Sequence, residues 1–282
     1  MTKTSPKTIQ IFLPDGNPKG LKIAEITSRT VSVTLVPRSD LDFALTRDEL
    51  ASVGVYFLVG YSEEDTKPLL YVGEAEDCLK RLKQHNKAKD FWNHSLLVTS
   101  KTQYFTKTHV KYLEWFCLEE AEKVGRFVLE NNNKPNQPFV SEPMEADLLD
   151  NFETIKILVS TLGYPIFDYI KKPKIKDLLF CKGKNAVANG QYTEEGLIVF
   201  KDSTANIEEV KSFKGAAISV REKLIHAGTL VKTNDVYKFT ADYVFPSPSQ
   251  AASVVLARSA NGWTEWKYKD GKTLDEVKRQ KN

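Results

Sequence analysis

Two short tyrosine-containing segments constrain the fold of this chain more than any other feature of its sequence. The first, 53–59, reads Val-Gly-Val-Tyr-Phe-Leu-Val, and the second, 69–74, reads Leu-Leu-Tyr-Val-Gly-Glu. Both are rich in β-branched and aromatic residues, which favours strands. Residues 60–68 between them include turn-forming Gly, Ser, Pro and Asp65. The two segments are therefore predicted to pair as a hairpin that carries one tyrosine on each strand.

A helix is predicted directly after the hairpin, over residues 76–87. Its acidic residues come first and its basic residues later, which suits the helix dipole. Arg81 and His85 are four positions apart, so they share one face of this helix.

A second helix is predicted over residues 108–123, and Glu114 has an unusual place in it. Glu114 lies on a stripe that is otherwise formed by Val110, Cys117 and Ala121. A carboxylate on such an apolar stripe is costly unless a cation or hydrogen-bond donors satisfy it. Glu114 is therefore a candidate for a functional role.

In this order, the elements resemble the GIY-YIG nuclease family. Residues 54–56 (Gly-Val-Tyr) are similar to its first motif and residues 71–73 (Tyr-Val-Gly) to its second, with valine in place of isoleucine in both. Arg81 fits the arginine of the family's first helix, and Glu114 fits its metal-binding glutamate. The resemblance covers roughly residues 50–140.

Two further positions fit this resemblance. His85, four residues after the arginine, is similar to the restriction-enzyme-like branch of the family. The family also carries an asparagine beyond the glutamate helix. Asn131 is the favoured candidate because it directly follows Leu-Glu, and three other asparagines remain open: Asn132, Asn133 and Asn136.

The resemblance implies a Mg²⁺-dependent endonuclease that hydrolyses DNA phosphodiester bonds. Glu114 would hold one Mg²⁺, Arg81 would bind a phosphate oxygen, and Tyr71 would hydrogen-bond the attacking water or the phosphate. Tyr56 is the candidate that the resemblance implies for activating the water. A phenol with a pKa of about 10 is a poor base at neutral pH. His85, with an ordinary pKa of about 6.5, is either the acceptor of the Tyr56 proton or the base itself.

Other functions are open at this point. A strand tyrosine is more often a packing residue than a catalyst, so the chain could be a catalytically silent nucleic-acid-binding module that keeps the nuclease fold. An RNA-directed nuclease is a further alternative. Duplex DNA is the expected partner, and a double-strand cut would favour a homodimer with two active sites. A role in restriction or defence against foreign DNA rests on the resemblance alone.

The expected fold class is α+β: a small antiparallel sheet flanked by helices, as in the nuclease family, and a second α+β domain. Residues 1–50 are predicted to be a β-rich N-terminal extension of the nuclease domain, 51–170 the nuclease-like domain, and 177–282 a C-terminal DNA-recognition domain. The basic segment 171–176 (Lys-Lys-Pro-Lys-Ile-Lys) is the predicted boundary. In the extension, Thr46 has capping-box spacing for a short helix.

The C-terminal segment has its own pattern. Ser249 is the predicted N-cap of a helix rich in small residues. Residues 261–266 (Asn-Gly-Trp-Thr-Glu-Trp) are predicted to form a turn and a strand with Trp263 and Trp266 on one face. Core packing of these tryptophans is preferred, and base stacking is the alternative. The pattern resembles a domain of unknown function often found C-terminal to GIY-YIG nucleases. It is also similar to the restriction-associated RAMA domain, for which recognition of modified DNA has been proposed.

The charge distribution agrees with a basic C-terminal part. Residues 161–282 contain 20 Lys and Arg against 14 Asp and Glu, whereas residues 1–160 contain 20 against 23. A basic excess can bind phosphate groups without sequence preference, although basic surfaces are common.

The cysteines and the apolar segments bear on localisation. The three cysteines have neither zinc-site spacing nor a disulfide pattern, which favours a reducing compartment. The chain starts without an apolar signal region and has no long apolar run, so a cytoplasmic protein is expected.

Overall fold

The computed structural model describes residues 6–62, 67–170, 177–211 and 213–280. The chain divides into two compact units, Met1–Ile170 and Lys171–Asn282. The predicted turn residue Asp65 and the basic segment 171–176 lie outside the described residues. The structure is of the α+β class, with helices packed on mainly antiparallel sheets.

The N-terminal unit is built on a seven-stranded sheet. Its strands are β1 (Ile9–Phe12), β2 (Lys22–Ile26), β3 (Val31–Pro37), β4 (Gly54–Gly60), β5 (Leu69–Ala75), β6 (Trp92–Ser100) and β7 (Val128–Leu129). Their order is β1-β2-β3-β6-β4-β5-β7. The predicted hairpin is confirmed, since β4 and β5 pair antiparallel.

The predicted β-rich extension joins this sheet, because β6 pairs with β3 on one side and with β4 on the other. The expectation of a purely antiparallel sheet is wrong, since β7 pairs with β5 in parallel.

In the described part of this unit, four α-helices pack around the sheet: α1 (Leu41–Ala44), α2 (Cys78–Ala88), α3 (Lys107–Val124) and α4 (Glu142–Thr161). Asp77 caps α2 by accepting a hydrogen bond from the Lys80 N–H, and Gly125 ends α3 with a φ of 67°. The predicted capping box at Thr46 is wrong: its hydroxyl donates to the Phe43 carbonyl, and a short 3₁₀ turn follows at residues 48–50.

The two faces of the sheet have separate cores. Val55, Phe57 and Val72 pack with α3 and α4 on one face, whereas Tyr56 and Leu58 pack with α2 on the other. This alternation follows from the two-residue period of a strand. It places the tyrosines of both segments on the α2 side of the sheet.

The C-terminal unit has two antiparallel sheets. Its strands are β8 (Leu179–Lys182), β9 (Val187–Thr193), β10 (Gly196–Val199), β11 (Thr204–Asn206), β12 (Leu230–Thr233), β13 (Val236–Phe239), β14 (Tyr243–Phe245) and β15 (Lys267–Tyr268). Its helices are α5 (Ala216–His226), α6 (Pro248–Leu256), α7 (Gly262–Glu265) and α8 (Leu274–Lys278). One sheet has the order β14-β10-β9-β8-β15 and the other β11-β13-β12. Each helix in the described parts of the chain is too short or too polar to cross a membrane.

The N-cap predicted for α6 is wrong by two residues. Ser247 caps the helix, because its hydroxyl accepts a hydrogen bond from the Gln250 N–H. The hydroxyl of Ser249 instead accepts from the Gly262 N–H and ties α6 to α7.

The strand predicted over residues 261–266 is a helical turn. The Asn261 side chain accepts the Trp263 N–H and starts α7. Trp266 follows the turn, is fully buried, and donates its indole N–H to the Pro248 carbonyl at 3.1 Å, so core packing is confirmed for this residue. The ring of Trp263 is covered by the Arg279 guanidinium at 3.5 Å from the ring centre.

A buried cation joins the elements of the C-terminal unit. Arg221 of α5 is 1% exposed and donates to the carbonyls of Val254 in α6, at 2.6 Å, and Asn206 in β11. Glu209 lies 3.3 Å from its Nε. Since buried carbonyls need donors, Arg221 satisfies two elements at once.

We expect Arg221→Met to lower the free energy of unfolding by about 2–4 kcal/mol, because the buried carbonyls lose their donors. Urea denaturation followed by circular dichroism measures this change. Lys223→Met, at an exposed position of the same helix, is the matched control and should change stability by less than about 0.5 kcal/mol. Equal effects of the two substitutions would contradict the role given to Arg221.

Candidate functional site

The two tyrosines of the hairpin lie side by side on the α2 face of the sheet. Tyr56 pairs across the strands with Gly73, and Leu58 pairs with Tyr71, so the phenols are diagonal neighbours. Their ring centres are 6.2 Å apart and the rings are nearly parallel. The two sequence segments therefore form one site.

Gly73 gives the Tyr56 ring its space. A Cβ atom at position 73 would overlap the phenol oxygen and Cζ of Tyr56. The glycine of the second segment is thus required by the tyrosine of the first, because a closed core has no room for an added methyl group.

His85 of α2 completes this group. Its Nε2 lies 2.8 Å from the Tyr56 hydroxyl, and its ring centre is 5.2 Å from that of Tyr71. Burial, together with the smaller effects of the Lys89 and Arg81 charges, lowers the pKa of His85 to about 4. The imidazole is therefore neutral at pH 7, and its Nε2 accepts the hydrogen bond from the phenol.

Tyr56 is kept protonated by the same surroundings. The side chain is 2% exposed, and burial raises its pKa above the ordinary value of a phenol. Tyr71 and the negative charge of Glu114 raise this pKa as well, whereas Arg81 lowers it. A cation is therefore what would favour the phenolate.

Asn131 lies at the outer edge of β5. The Glu130 N–H donates to the Leu70 carbonyl at 2.8 Å. One step along, the Asn131 side chain accepts from the Val72 N–H at 3.0 Å and donates to the Val72 carbonyl at 2.7 Å. Asn131 is thus the predicted asparagine whose carboxamide is fixed to the hairpin.

Glu114 is half-buried on α3, whose apolar side packs on the face of the sheet opposite to α2. Burial and the like charge of Glu74 raise the pKa of its carboxyl group to about 7, against the opposing effects of the Glu74 backbone, Lys107 and Arg81. Within the described residues, Glu114 forms no ion pair.

Two residues of this region were missed by the sequence analysis. Lys107, the first residue of α3, lies 2.9 Å from a carboxylate oxygen of Glu74 and 3.7 Å from one of Glu76. The signal for Glu74 was its place directly after the Tyr-Val-Gly triplet. No local signal pointed to Lys107, because the pair spans 33 positions of the chain.

Arg81 lies in a shallow cleft next to these residues. Its Nη1 donates to Gln84 at 3.2 Å, and its side chain is exposed. The cleft has a volume of about 380 Å³ and is lined by Arg81, Lys107 and Lys80 among others. Direct contacts thus join Tyr56, Tyr71 and His85, whereas Arg81 acts on them through its charge.

The donor chemistry at Glu114 fits a hard divalent cation. The residues described contain no group of three or more His, Cys, Asp and Glu that could enclose a metal. Mg²⁺ uses few protein ligands and prefers oxygen, so one carboxylate with water and substrate oxygens is a suitable set. Lys107 forms its ion pair with Glu74 and not with Glu114. The carboxylate of Glu114 is therefore a suitable ligand for such a cation.

We expect Gly73→Ala to destabilise the protein by about 1–3 kcal/mol, because the added methyl group displaces the Tyr56 ring. In the Tyr56→Leu background the same change should cost at least about 1 kcal/mol less, since the ring is absent. Urea denaturation of the two single variants and the double variant measures this coupling. Additive effects would show that the two residues do not compete for space.

We expect Glu114→Gln to raise the free energy of unfolding at pH 8 without divalent cations. The folded-state pKa of about 7 lies above the ordinary 4.5, so ionisation between these values costs the folded state stability. Removing the charge should therefore gain about 1–3 kcal/mol at pH 8 and much less at pH 5. Glu119→Gln on the same helix is the control. A gain that does not depend on pH would contradict this explanation.

Comparison with known families reaches the C-terminal unit alone. A family model described as a domain of unknown function (DUF4357) matches residues 179–278. No curated protein and no solved structure matches the chain. The C-terminal unit is thus similar to a family without an assigned activity, and functional inference depends on the geometry of each unit.

Proposed function

We propose that the N-terminal unit is a Mg²⁺-dependent endonuclease of the GIY-YIG type that hydrolyses phosphodiester bonds in DNA. The observation that carries this proposal is the hydrogen bond between Tyr56 and His85, with Tyr71 against both rings. Glu114 is near enough for its charge to act on the pKa of Tyr56. These are the residues that the family resemblance implies, and a purely structural sheet would have no need of them together.

Arg81 would bind the scissile phosphate. Its guanidinium is exposed in the cleft beside Lys107, where a phosphate can enter from solvent. A planar guanidinium can donate two hydrogen bonds to non-bridging oxygens and stabilise the charge that develops on them.

Tyr56 and His85 would act together on the attacking water. The water proton passes to the Tyr56 oxygen while the phenol proton passes to His85 Nε2, and Tyr71 orients the water or the phosphate. Phosphate bound near Arg81 and Lys89 offsets the two positive charges that lower the pKa of His85. Substrate binding would therefore make His85 a stronger base at the moment it is needed.

Glu114 would hold the cation. Bound Mg²⁺ would supply positive charge next to the phosphoryl oxygens. The carboxylate must be ionised for this purpose, and a pKa of about 7 means that it competes with protons near neutrality. Asn131 would act indirectly, by fixing the β5 edge through Val72.

The C-terminal unit would recognise or target the DNA. This part of the proposal rests on the basic excess of residues 161–282 and on the resemblance to the restriction-associated RAMA domain. A role in restriction or defence against foreign DNA, and a homodimer for double-strand cutting, follow from the same resemblance.

A catalytically silent nucleic-acid-binding module is the competing proposal. The specific observation in its favour is the burial of Tyr56, which is 2% exposed and already hydrogen-bonded. If the buried Tyr56 cannot contact the attacking water, the unit would keep its fold and its phosphate-binding cleft but would not hydrolyse the substrate.

Incubation of the purified protein with plasmid DNA, modified and unmodified duplexes and RNA, with and without Mg²⁺, tests the proposal. We expect Mg²⁺-dependent cutting of DNA that falls by at least about 100-fold in Glu114→Ala, since the cation loses its ligand. Circular dichroism should show an intact fold, and Glu119→Ala is the matched control.

Each outcome of this experiment separates two proposals. Retained Mg²⁺-dependent activity in Glu114→Ala would refute the role of this carboxylate. Binding without cutting on all substrates would favour the silent module. Cutting of RNA alone would favour the RNA-directed nuclease.

A further inference from the structure

A basic surface lies on the edge of the larger sheet in the C-terminal unit. In β8, Leu179 and Cys181 are buried, whereas Phe180 and Lys182 alternate toward the other face. The edge strand β15 pairs with β8 so that Lys267 lies opposite Phe180. Cross-strand partners share a face, so an aromatic ring and two lysines lie together at this edge.

A concave surface follows these residues. A cavity of about 510 Å³ is lined by Phe180 and Tyr268 together with Lys182, Lys267 and Lys269. None of the three lysines forms an ion pair with a carboxylate in the described part of the chain. A ligand can therefore contact these ammonium groups directly, although the charge of Lys267 also acts on Glu276.

A second cavity shares Lys182 with the first. It has a volume of about 730 Å³, and its other cations are Lys184, Lys232 and Arg258. Lys184 pairs with Glu208 at 3.4 Å, and Arg258 pairs with a carboxylate at 2.6 Å. Lys182 thus connects two basic concavities into one continuous surface.

The cations that line the two cavities outnumber the carboxylates that line them. The described residues that line the two cavities include six cations and three carboxylates, and the carboxylates are Glu208, Asp235 and Glu265. Two of these are already used in the ion pairs with Lys184 and Arg258. The excess positive charge is concentrated on Lys182, Lys232, Lys267 and Lys269.

We propose that this surface, the lysine edge (Lys182, Lys232, Lys267 and Lys269 with Phe180 and Tyr268), binds the sugar–phosphate backbone of a nucleic acid. When lysine side chains bind phosphates, the nucleic acid releases counterions, and this release favours binding. The half-buried aromatic rings can contact sugars or bases. The surface is concave, carries excess positive charge and includes aromatic rings. These features favour a ligand that has several phosphate groups and planar bases. The inference rests on the proposed nucleic-acid partner, but it does not depend on cleavage.

Binding of the full chain to a fluorescent 20-base-pair DNA duplex tests the lysine edge. Anisotropy is measured in EDTA over a series of salt concentrations, so that no cutting takes place. We expect Lys182→Gln/Lys267→Gln/Lys269→Gln to weaken binding by about 10- to 100-fold near 0.1 M salt and to reduce the salt slope by about 2.7, or about 0.9 for each lost phosphate contact.

A charge-matched variant controls for net charge. Lys201, Lys223 and Lys278 are exposed in the same unit and line neither cavity. Their triple replacement by Gln removes the same charge and should change affinity by less than about threefold. Replacement of the three edge lysines by Arg should keep affinity near that of the unaltered protein, because arginine also binds phosphate.

The outcomes separate this inference from the proposed nuclease. Equal weakening in both Gln triples, or no weakening in either, would overturn the lysine edge. Absence of binding by the unaltered protein to duplex and single-stranded DNA and RNA would overturn it as well. Parallel cutting assays with Mg²⁺ test the N-terminal unit: lysine-dependent binding without cutting would remove the nuclease and leave the lysine edge in place.

Discussion

The outer edge of β5 is the constraint on which the candidate site depends. The partner strand β7 covers two residues of it, and the main-chain groups beyond still need hydrogen-bond partners. The carboxamide of Asn131 meets the next position through Val72. The same hydrogen bonds that complete the sheet therefore bring a side chain from a distant segment to the strand that carries Tyr71.

Burial shifts the pKa values of Glu114 and His85 in opposite directions. It raises the pKa of Glu114 and lowers that of His85, so each group is moved toward its neutral form. Such shifts cost folding stability and are typical of sites where a ligand or substrate later supplies the missing charge. The proposed cation and phosphate are complementary in this respect, since the first would offset the charge of Glu114 and the second the charges of Arg81 and Lys89.

Local patterns were sufficient to predict the hairpin, the two following helices and the four-residue spacing of Arg81 and His85. They were not sufficient for β6, because its stability comes from long-range pairing with two strands and its buried Ser95 and Thr99 break the apolar pattern. The contact between Lys107 and Glu74 is likewise a product of tertiary packing. In the C-terminal unit, Pro248 takes the first position of α6, where proline is favoured, so Ser247 and not the predicted Ser249 is the N-cap.

The contact of Asn131 with Val72 has a chemical consequence for this position. A carboxamide has a donating NH2 group and an accepting oxygen in one plane, as a peptide group has, so the Asn131 side chain can pair with the N–H and the carbonyl of Val72 as a neighbouring strand would. Aspartate has almost the same shape, but when ionised it would turn a second acceptor toward the Val72 carbonyl. Hydrolysis of this amide during ageing of the protein would thus replace an attraction with a repulsion, one residue away from Tyr71.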